Sequence, residues 1–488
     1  MIRIDGAHLT CADIAAAAYR RDGIVVTSDA QQRVAASYQF ADRISRERTV
    51  YGRSTGVGAN RDVDVTDPAR HALSLVRSHA TSAGPVRAAE RVRATLVVRL
   101  NQLAAGGSGA SPSVLNGLAA MLAADALPEV REHGSIGTGD LTALATIALA
   151  LVGEVPTTRP LPATIAFGVH DALPFMSSNA AAIGDAALAC TELQMLARAC
   201  VVVAGLTYTA IDGNPEAFAE VVERVTPFDG ARQVCRWMRS LTVSAAPPAR
   251  IQDPFGLRTL PQAHGAALDA LAELDDVVRR LANAPSENPV VLAGPGGDGE
   301  LAHHGGFHAV YLTTALDAAV ITVAQSAKLA LARLATLSDP AFTGLAPFLG
   351  DGTPGMSGVM VLEYVAASAL GDLRAAATPA GLQAVVLSRG VEEDASFASL
   401  AARQATSAVG NLRIMLACEL VAAVRALRLR GISPASEPLA FALAACADLP
   451  GSPEDRNLSG DVQLAEQVLP ALAELVSWAP ATRNGSHR

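Results

Sequence analysis

Four short polar segments hold most of the side chains able to do chemistry: Tyr51-Gly-Arg-Ser-Thr-Gly-Val-Gly58, Gly134-Ser-Ile-Gly-Thr-Gly-Asp-Leu141, Ile251-Gln-Asp-Pro-Phe-Gly-Leu-Arg258 and His303-His-Gly-Gly-Phe-His308. Tyr51 lies in a glycine-rich loop that can reorder over a pocket, and a phenol of lowered pKa can take a proton from carbon. Arg258 offers a planar fork suited to a carboxylate. The amides of Asn179 and Gln252 can hydrogen-bond an electrophile or a substrate oxygen, and Glu393 can hold an amino group or a polar ring. His79 can face a substrate side chain. Each has a plainer reading as well: a packing tyrosine, an ion-paired arginine, a satisfied core histidine. The Gly134–Asp140 loop precedes an apolar run starting at Leu141, so its amides point at whatever sits there. No loop matches a P-loop or a dinucleotide fingerprint.

The elements that must position these loops read as helices. Charged and apolar residues alternate at three- and four-residue spacing over Val86–Ala104, and similar patterns cover Ser113–Ala124, Leu141–Val152, Ala180–Val203, Pro261–Ala284, Phe307–Ala335, Gly358–Ala377 and Ala395–Arg430. Several exceed the usual globular helix, which predicts a mainly α bundle of long antiparallel helices. Turn chemistry separates them at Asp212–Pro215 and Gly294–Gly299. Strand signals are few and short, as at Gly23–Thr27. The chain divides into an N-terminal region, 1–180, carrying the Tyr51 and Gly134–Asp140 loops, and a long-helix region with C-terminal helices, 181–488, together expected to form one continuous unit.

Composition narrows the function. The chain has 488 residues, 50% hydrophobic, 4% aromatic and 17% charged, with a net charge of -9. So apolar a chain offsets its ordering entropy, which excludes disorder as the main state. A mildly acidic balance without a basic block argues against nucleic acid. Lys328 is the only lysine, so Schiff-base chemistry would hang on one position. The six cysteines form no C-x-x-C pair and no metal-ligand spacing, and read as small buried residues of a reducing cytosol; no metal is expected. The amino terminus does not resemble a secretory signal, and residues 100–124, rich in Gly and polar residues, read as a loop between two helices and not as a membrane span. The expectation is a cytoplasmic protein without membrane partners.

Taken in order, the segments resemble the histidine and phenylalanine ammonia-lyase family of aromatic amino acid lyases and aminomutases. The likeness runs from Tyr51 to about Ala395. Tyr51-Gly52, Thr55-Gly56 and Gly58 resemble a Y-G-x-N-T-G-F-G loop, with Ser54 for its Asn. Arg77–Ala80, Arg99–Asn101 with Gly106 and Ser108-Gly109, Gly134–Gly137 with Gly139–Leu141, Asn179, Gln252–Pro254 with Arg258, Glu287–Pro289, Phe307-His308 and Glu393-Asp394 complete the series. The resemblance implies a helical homotetramer whose active sites each draw on three chains. It implies Tyr51 as general base, with Asn179, Gln252, Arg258 and Glu393 catalytic and His79, Phe255 and Phe307 against the substrate. It also implies an electrophilic methylidene-imidazolone (MIO) group made from consecutive Ala-Ser-Gly.

That last feature departs. The chain reads Gly137-Thr138-Gly139-Asp140, one residue shorter and without serine between Gly137 and Asp140. Ser135 matches the family's structural serine instead. Dehydrating Thr138 would add a methyl to the exocyclic carbon, so no MIO and no other cofactor is expected. Phe255 replaces a tyrosine, Gly306 an asparagine, and Ala395 a histidine, while Ser178-Asn179-Ala180 alters an N-G-T context. Three readings stand: an enzyme on an amino-acid-like or carboxylate substrate using Tyr51 for elimination, isomerisation or cyclisation without MIO; a conventional MIO ammonia-lyase or aminomutase whose written sequence omits the serine; and a non-catalytic subunit or binding protein.

Overall fold

The computed structural model describes residues 1–243 and 247–478. Helices dominate, at nearly the expected bounds: Ala89–Ala104, Pro112–Ala123, Leu141–Leu151, Ala180–Ala210, Leu260–Ala282, Val310–Ser338, Met360–Ala376 and Ala398–Arg430. Local chemistry sets the ends. Ser178 Oγ accepts from the Ala180 amide at 3.0 Å and Asp140 Oδ2 from that of Ala182 at 2.8 Å, satisfying donors that the first turn of Ala180–Ala210 leaves open. Pro112 starts its helix where a missing N–H costs nothing. The loop expected over residues 100–124 is confined to 105–111, because the flanking helices run to Ala104 and resume at Pro112.

The expected helix from Val86 begins only at Ala89, because Ala83–Val86 is a strand paired antiparallel with Arg131–His133. Gly84 and Pro85 disfavour helix, and the Arg87 amide continues the pairing to the Val130 carbonyl at 2.8 Å. The Gly23–Thr27 signal is realised as Ile24–Val26, parallel to Ile2–Ile4. Val290–Ala293 and Gly299–Ala302 form a third ribbon. These are the sheets among the described residues.

The chain forms two compact units. The first comprises Met1–Thr191, Leu274–Asp317 and Pro379–Arg403; the second comprises Glu192–Glu273, Ala318–Thr378 and Gln404–Arg488. In the first, Leu96, Leu100, Leu103, Leu115, Leu118 and Phe175 are fully buried, each such side chain contributing about 1.5–3 kcal/mol by leaving water. Arg99 and Glu287 are buried among them, paired at 2.7 Å, and Arg99 also donates to the Phe175 carbonyl at 2.9 Å. This pair fixes the segment carrying Asn288. In the second unit the core includes Leu206, Phe218, Met238, Leu268, Leu416 and Leu420.

Three segments, Ala172–Ala210, Val310–Ser338 and Ala398–Arg430, are long and apolar enough by composition to cross a membrane, with mean hydropathies of 1.5, 1.4 and 1.5. Packing within the protein covers 72%, 50% and 67% of these stretches. The middle helix therefore keeps half of its apolar stretch uncovered, and Tyr311 on it is 76% exposed.

Candidate active site

An open cavity of about 970 Å³ lies in the first unit. Its lining includes Tyr51 and His303, Thr138, Leu141, Leu173 and Ser177, and Phe307, His308, Glu392, Glu393 and Asp394. Arg61, Asp62 and Asn288 also contribute. Folding therefore brings the Tyr51 loop, the Gly134–Leu141 loop, the His303–His308 segment and Glu393 together at one place. The volume suits a small organic molecule.

The Tyr51 loop is tightly tied. The Tyr51 hydroxyl accepts from the Gly58 amide at 2.8 Å, and its own amide donates to His303 Nε2 at 3.1 Å. The two rings meet edge to face, 6.5 Å apart at 87°. Because His303 Nε2 accepts, its ring proton sits on Nδ1, and burial, with Arg48 and His304 nearby, holds its pKa below the usual value. Tyr51 departs from the expectation of a lowered pKa. Burial pushes the phenol up and the Glu392 carboxylate adds to this, outweighing the Gly58 amide and Arg61. Ser54, where the family pattern has asparagine, closes the turn by accepting from the Val50 amide at 2.8 Å.

The Gly137–Asp140 segment is held from beneath. The Gly137 carbonyl accepts from Ser396 Oγ at 2.8 Å and from the Ala309 amide at 3.2 Å. Gly137 has φ +87°, and a Cβ there would lie 2.7 Å from the Ala398 nitrogen, so only glycine fits. Asn179 does not line the cavity. Its Oδ1 accepts from the Gly139 amide at 3.0 Å and its Nδ2 donates to the Phe307 carbonyl, clasping two lining segments. Asp140 is fully buried, and desolvation raises its pKa despite the Ala182 amide. Thr138, half-buried, presents itself to the cavity.

Three residues of the expected set, Gln252, Phe255 and Arg258, belong to the second unit and form their own cluster. Arg258 Nη1 donates to Gln252 Oε1 at 2.6 Å, and its guanidinium lies 4.7 Å from the centre of the exposed Phe255 ring. Asp253 anchors this turn to the expected Asp212–Pro215 turn, accepting from the Asn214 amide at 2.7 Å and from Arg250 at 2.9 Å. Arg333, paired with Glu419, donates to the Gly256 carbonyl at 3.0 Å.

His79 does not reach the cavity. It ends the helix Pro68–His79, and its Nδ1 lies 2.8 Å from the Leu75 carbonyl of the same helix, the local bond open to a histidine in a last turn. The expected set also left out Arg61, Ser177, Asn288, His303, His308, Glu392 and Asp394. The triple-histidine string was the available signal: His308 Nε2 stands 3.2 Å from Asp394 Oδ2. Gly306, where the family pattern has asparagine, donates its amide to His304 Nδ1 at 2.9 Å, and a Cβ there would meet that ring at 2.6 Å. The cavity thus offers a phenol, two imidazoles and several carboxylates, a set suited to moving a proton and holding a charged group.

Comparison with known proteins places the whole chain among relatives. Residues 9–447 match the model of the aromatic amino acid lyase family. The chain is 32% identical to a histidine ammonia-lyase of Sorangium cellulosum, over 95% of this chain and 96% of that one, and 33% identical to a histidine ammonia-lyase of Symbiobacterium thermophilum, over 96% of each. Among solved structures, tyrosine aminomutase from Streptomyces globisporus superposes with a TM-score of 0.89 at 25% identity, covering 97% of both chains. A helical fold, the ordered loops and full-length likeness agree, and the chain belongs to the aromatic amino acid lyase family as a lyase-type enzyme.

Proposed function

We propose that this enzyme binds an amino-acid-like or carboxylate substrate and catalyses elimination, isomerisation or cyclisation with Tyr51 as general base, without an MIO group. The observation that carries the reading is the Gly137–Asp140 segment, where the only residue between two glycines is Thr138, on the cavity wall. Building MIO needs a serine flanked by Ala and Gly, so the residues present do not fit that group. Phe255 is a second, independent loss, since it removes a phenol from the Gln252–Arg258 cluster. The retained acid–base groups around the cavity favour an enzyme over a binding scaffold. Full-length likeness to histidine ammonia-lyases supports an amino-acid-like substrate.

In this reading Tyr51 moves the proton, Glu393 holds a substrate ammonium or polar ring, and Phe307 packs on the substrate body. Asn179 acts by positioning Thr138 and Phe307. Arg258 and Gln252 supply the carboxylate clamp to the cavity of another copy in a homotetramer. Purified protein is expected to resist cyanide and borohydride and to lack the near-ultraviolet absorbance of a conjugated electrophile. A covalent cyanide adduct on the peptide containing Thr138 would overturn the MIO-free reading.

The tetramer has its own support. In the first unit Val310 and Tyr311 are exposed, and in the second Val361 and Tyr364 are 56% and 67% exposed, large apolar surfaces that a single copy leaves in water. Light scattering is expected to give four times the chain mass. A stable monomer would remove the composite clamp.

A further inference from the structure

A cluster outside the cavity has the composition of a metal site. Cys11 opens the short helix Cys11–Ala15, Cys190 lies in Ala180–Ala210, and Asp275 lies in Leu260–Ala282. All three belong to the first unit. Their sulfur and carboxylate oxygen atoms lie within 4.8 Å of one another. The thiols hydrogen-bond each other, and the Asp275 carboxylate bonds Cys11. Both cysteines are buried, whereas Asp275 is half-buried and gives the cluster a face towards solvent.

We infer that Cys11, Cys190 and Asp275 form a binding site for a zinc-class divalent cation. Two sulfurs and a carboxylate oxygen make a borderline-soft ligand set. With metal–sulfur bonds of about 2.3 Å and metal–oxygen bonds of about 2.0–2.2 Å, tetrahedral ligand atoms stand about 3.4–3.8 Å apart. The observed triangle reaches that spacing by small side-chain rotations. A water on the Asp275 side supplies the fourth ligand. Binding releases the two thiol protons to solvent, and two thiolates and a carboxylate leave the occupied site with one net negative charge. In the apo state, hydrogen bonding to Cys190 and burial hold the Cys11 thiol well above its usual pKa, so its proton stays until a cation displaces it.

The site has a structural consequence. It ties the N-terminal segment to the helix whose first turn is capped from Asp140 and Ser178. An ion that binds the folded chain and not the unfolded one raises stability by mass action.

The test uses full-length protein, reduced, stripped of metal and titrated with Co²⁺, followed by zinc loading and elemental analysis. The expected result is one ion per chain, with thiolate-to-cobalt charge-transfer absorption and a raised thermal midpoint. Cys11→Ser and Cys190→Ser are expected to lose the band, Cys446→Ala to keep it, and Asp275→Asn, at a half-buried position that keeps the fold, to weaken binding at least about ten-fold. Failure of the reduced wild type to take up either ion in stoichiometric amount would overturn the site. A Cys11→Ser protein that keeps the charge-transfer band, or an Asp275→Asn protein binding as tightly as wild type, would do the same.

Discussion

Tyr51→Phe is expected to lower turnover by about 10²–10⁴-fold while leaving the chain folded and assembled, because a positioned general base contributes that factor. In barrier terms this is roughly 3–5 kcal/mol. The ring and its edge contact with His303 persist; the loss is the hydroxyl and the bond it accepts from Gly58, costing about 1 kcal/mol locally. The pH profile adds an independent reading. Burial raises the phenol pKa, so the ionised base is scarce at neutral pH, and kcat/KM is expected to rise with pH towards the phenol's pKa. Arg258→Lys should behave differently, raising KM through loss of the bidentate fork with a smaller change in kcat. A Tyr51→Phe enzyme as active as wild type, or a profile falling with pH, would place the base elsewhere.

The second large effect concerns stability. In the second unit Arg333 and Glu419 are 1% and 0% exposed and meet through two bonds of 2.6 and 2.8 Å, with Thr207 donating to Glu419 at 2.8 Å. Burial opposes the guanidinium charge, but the Glu419 carboxylate outweighs it and raises the Arg333 pKa, so the guanidinium stays charged. Glu419→Ala leaves a buried cation uncompensated and is expected to cost about 3–5 kcal/mol, read as a fall in the denaturation midpoint. Arg333→Met with Glu419→Leu should recover most of it, since an apolar pair of similar volume avoids desolvating two ions. Arg333 also holds the Gly256 carbonyl, so Glu419→Ala should disturb the Gln252–Arg258 turn and raise KM. A Glu419→Ala midpoint equal to wild type would contradict this account.

Much of this was legible in the sequence, for reasons particular residues make plain. The long helices showed because apolar residues recur on one face, and their ends because Gly and Pro interrupt the pattern near Gly106, Pro112 and Gly358. The loops around Tyr51, Thr138 and Phe307 could be singled out because glycine and polar residues break an otherwise apolar chain, whereas Glu393 came from resemblance. Their convergence on one cavity came from resemblance, since residue spacing cannot show which distant loops meet. The raised Tyr51 pKa was hidden because it depends on burial and on Glu392, neither visible locally. His79 turned on a single helix-end bond to Leu75. Cys11, Cys190 and Asp275 were invisible as a group because their helices meet only in three dimensions.

The central claim is that Thr138, between Gly137 and Gly139, leaves this enzyme without the electrophile of its family. Intact-protein mass of the purified chain tests it most directly, with peptide mapping across Gly137–Asp140. The account predicts the mass of the unmodified sequence; a mass lower by two waters, localised to that peptide, would contradict it.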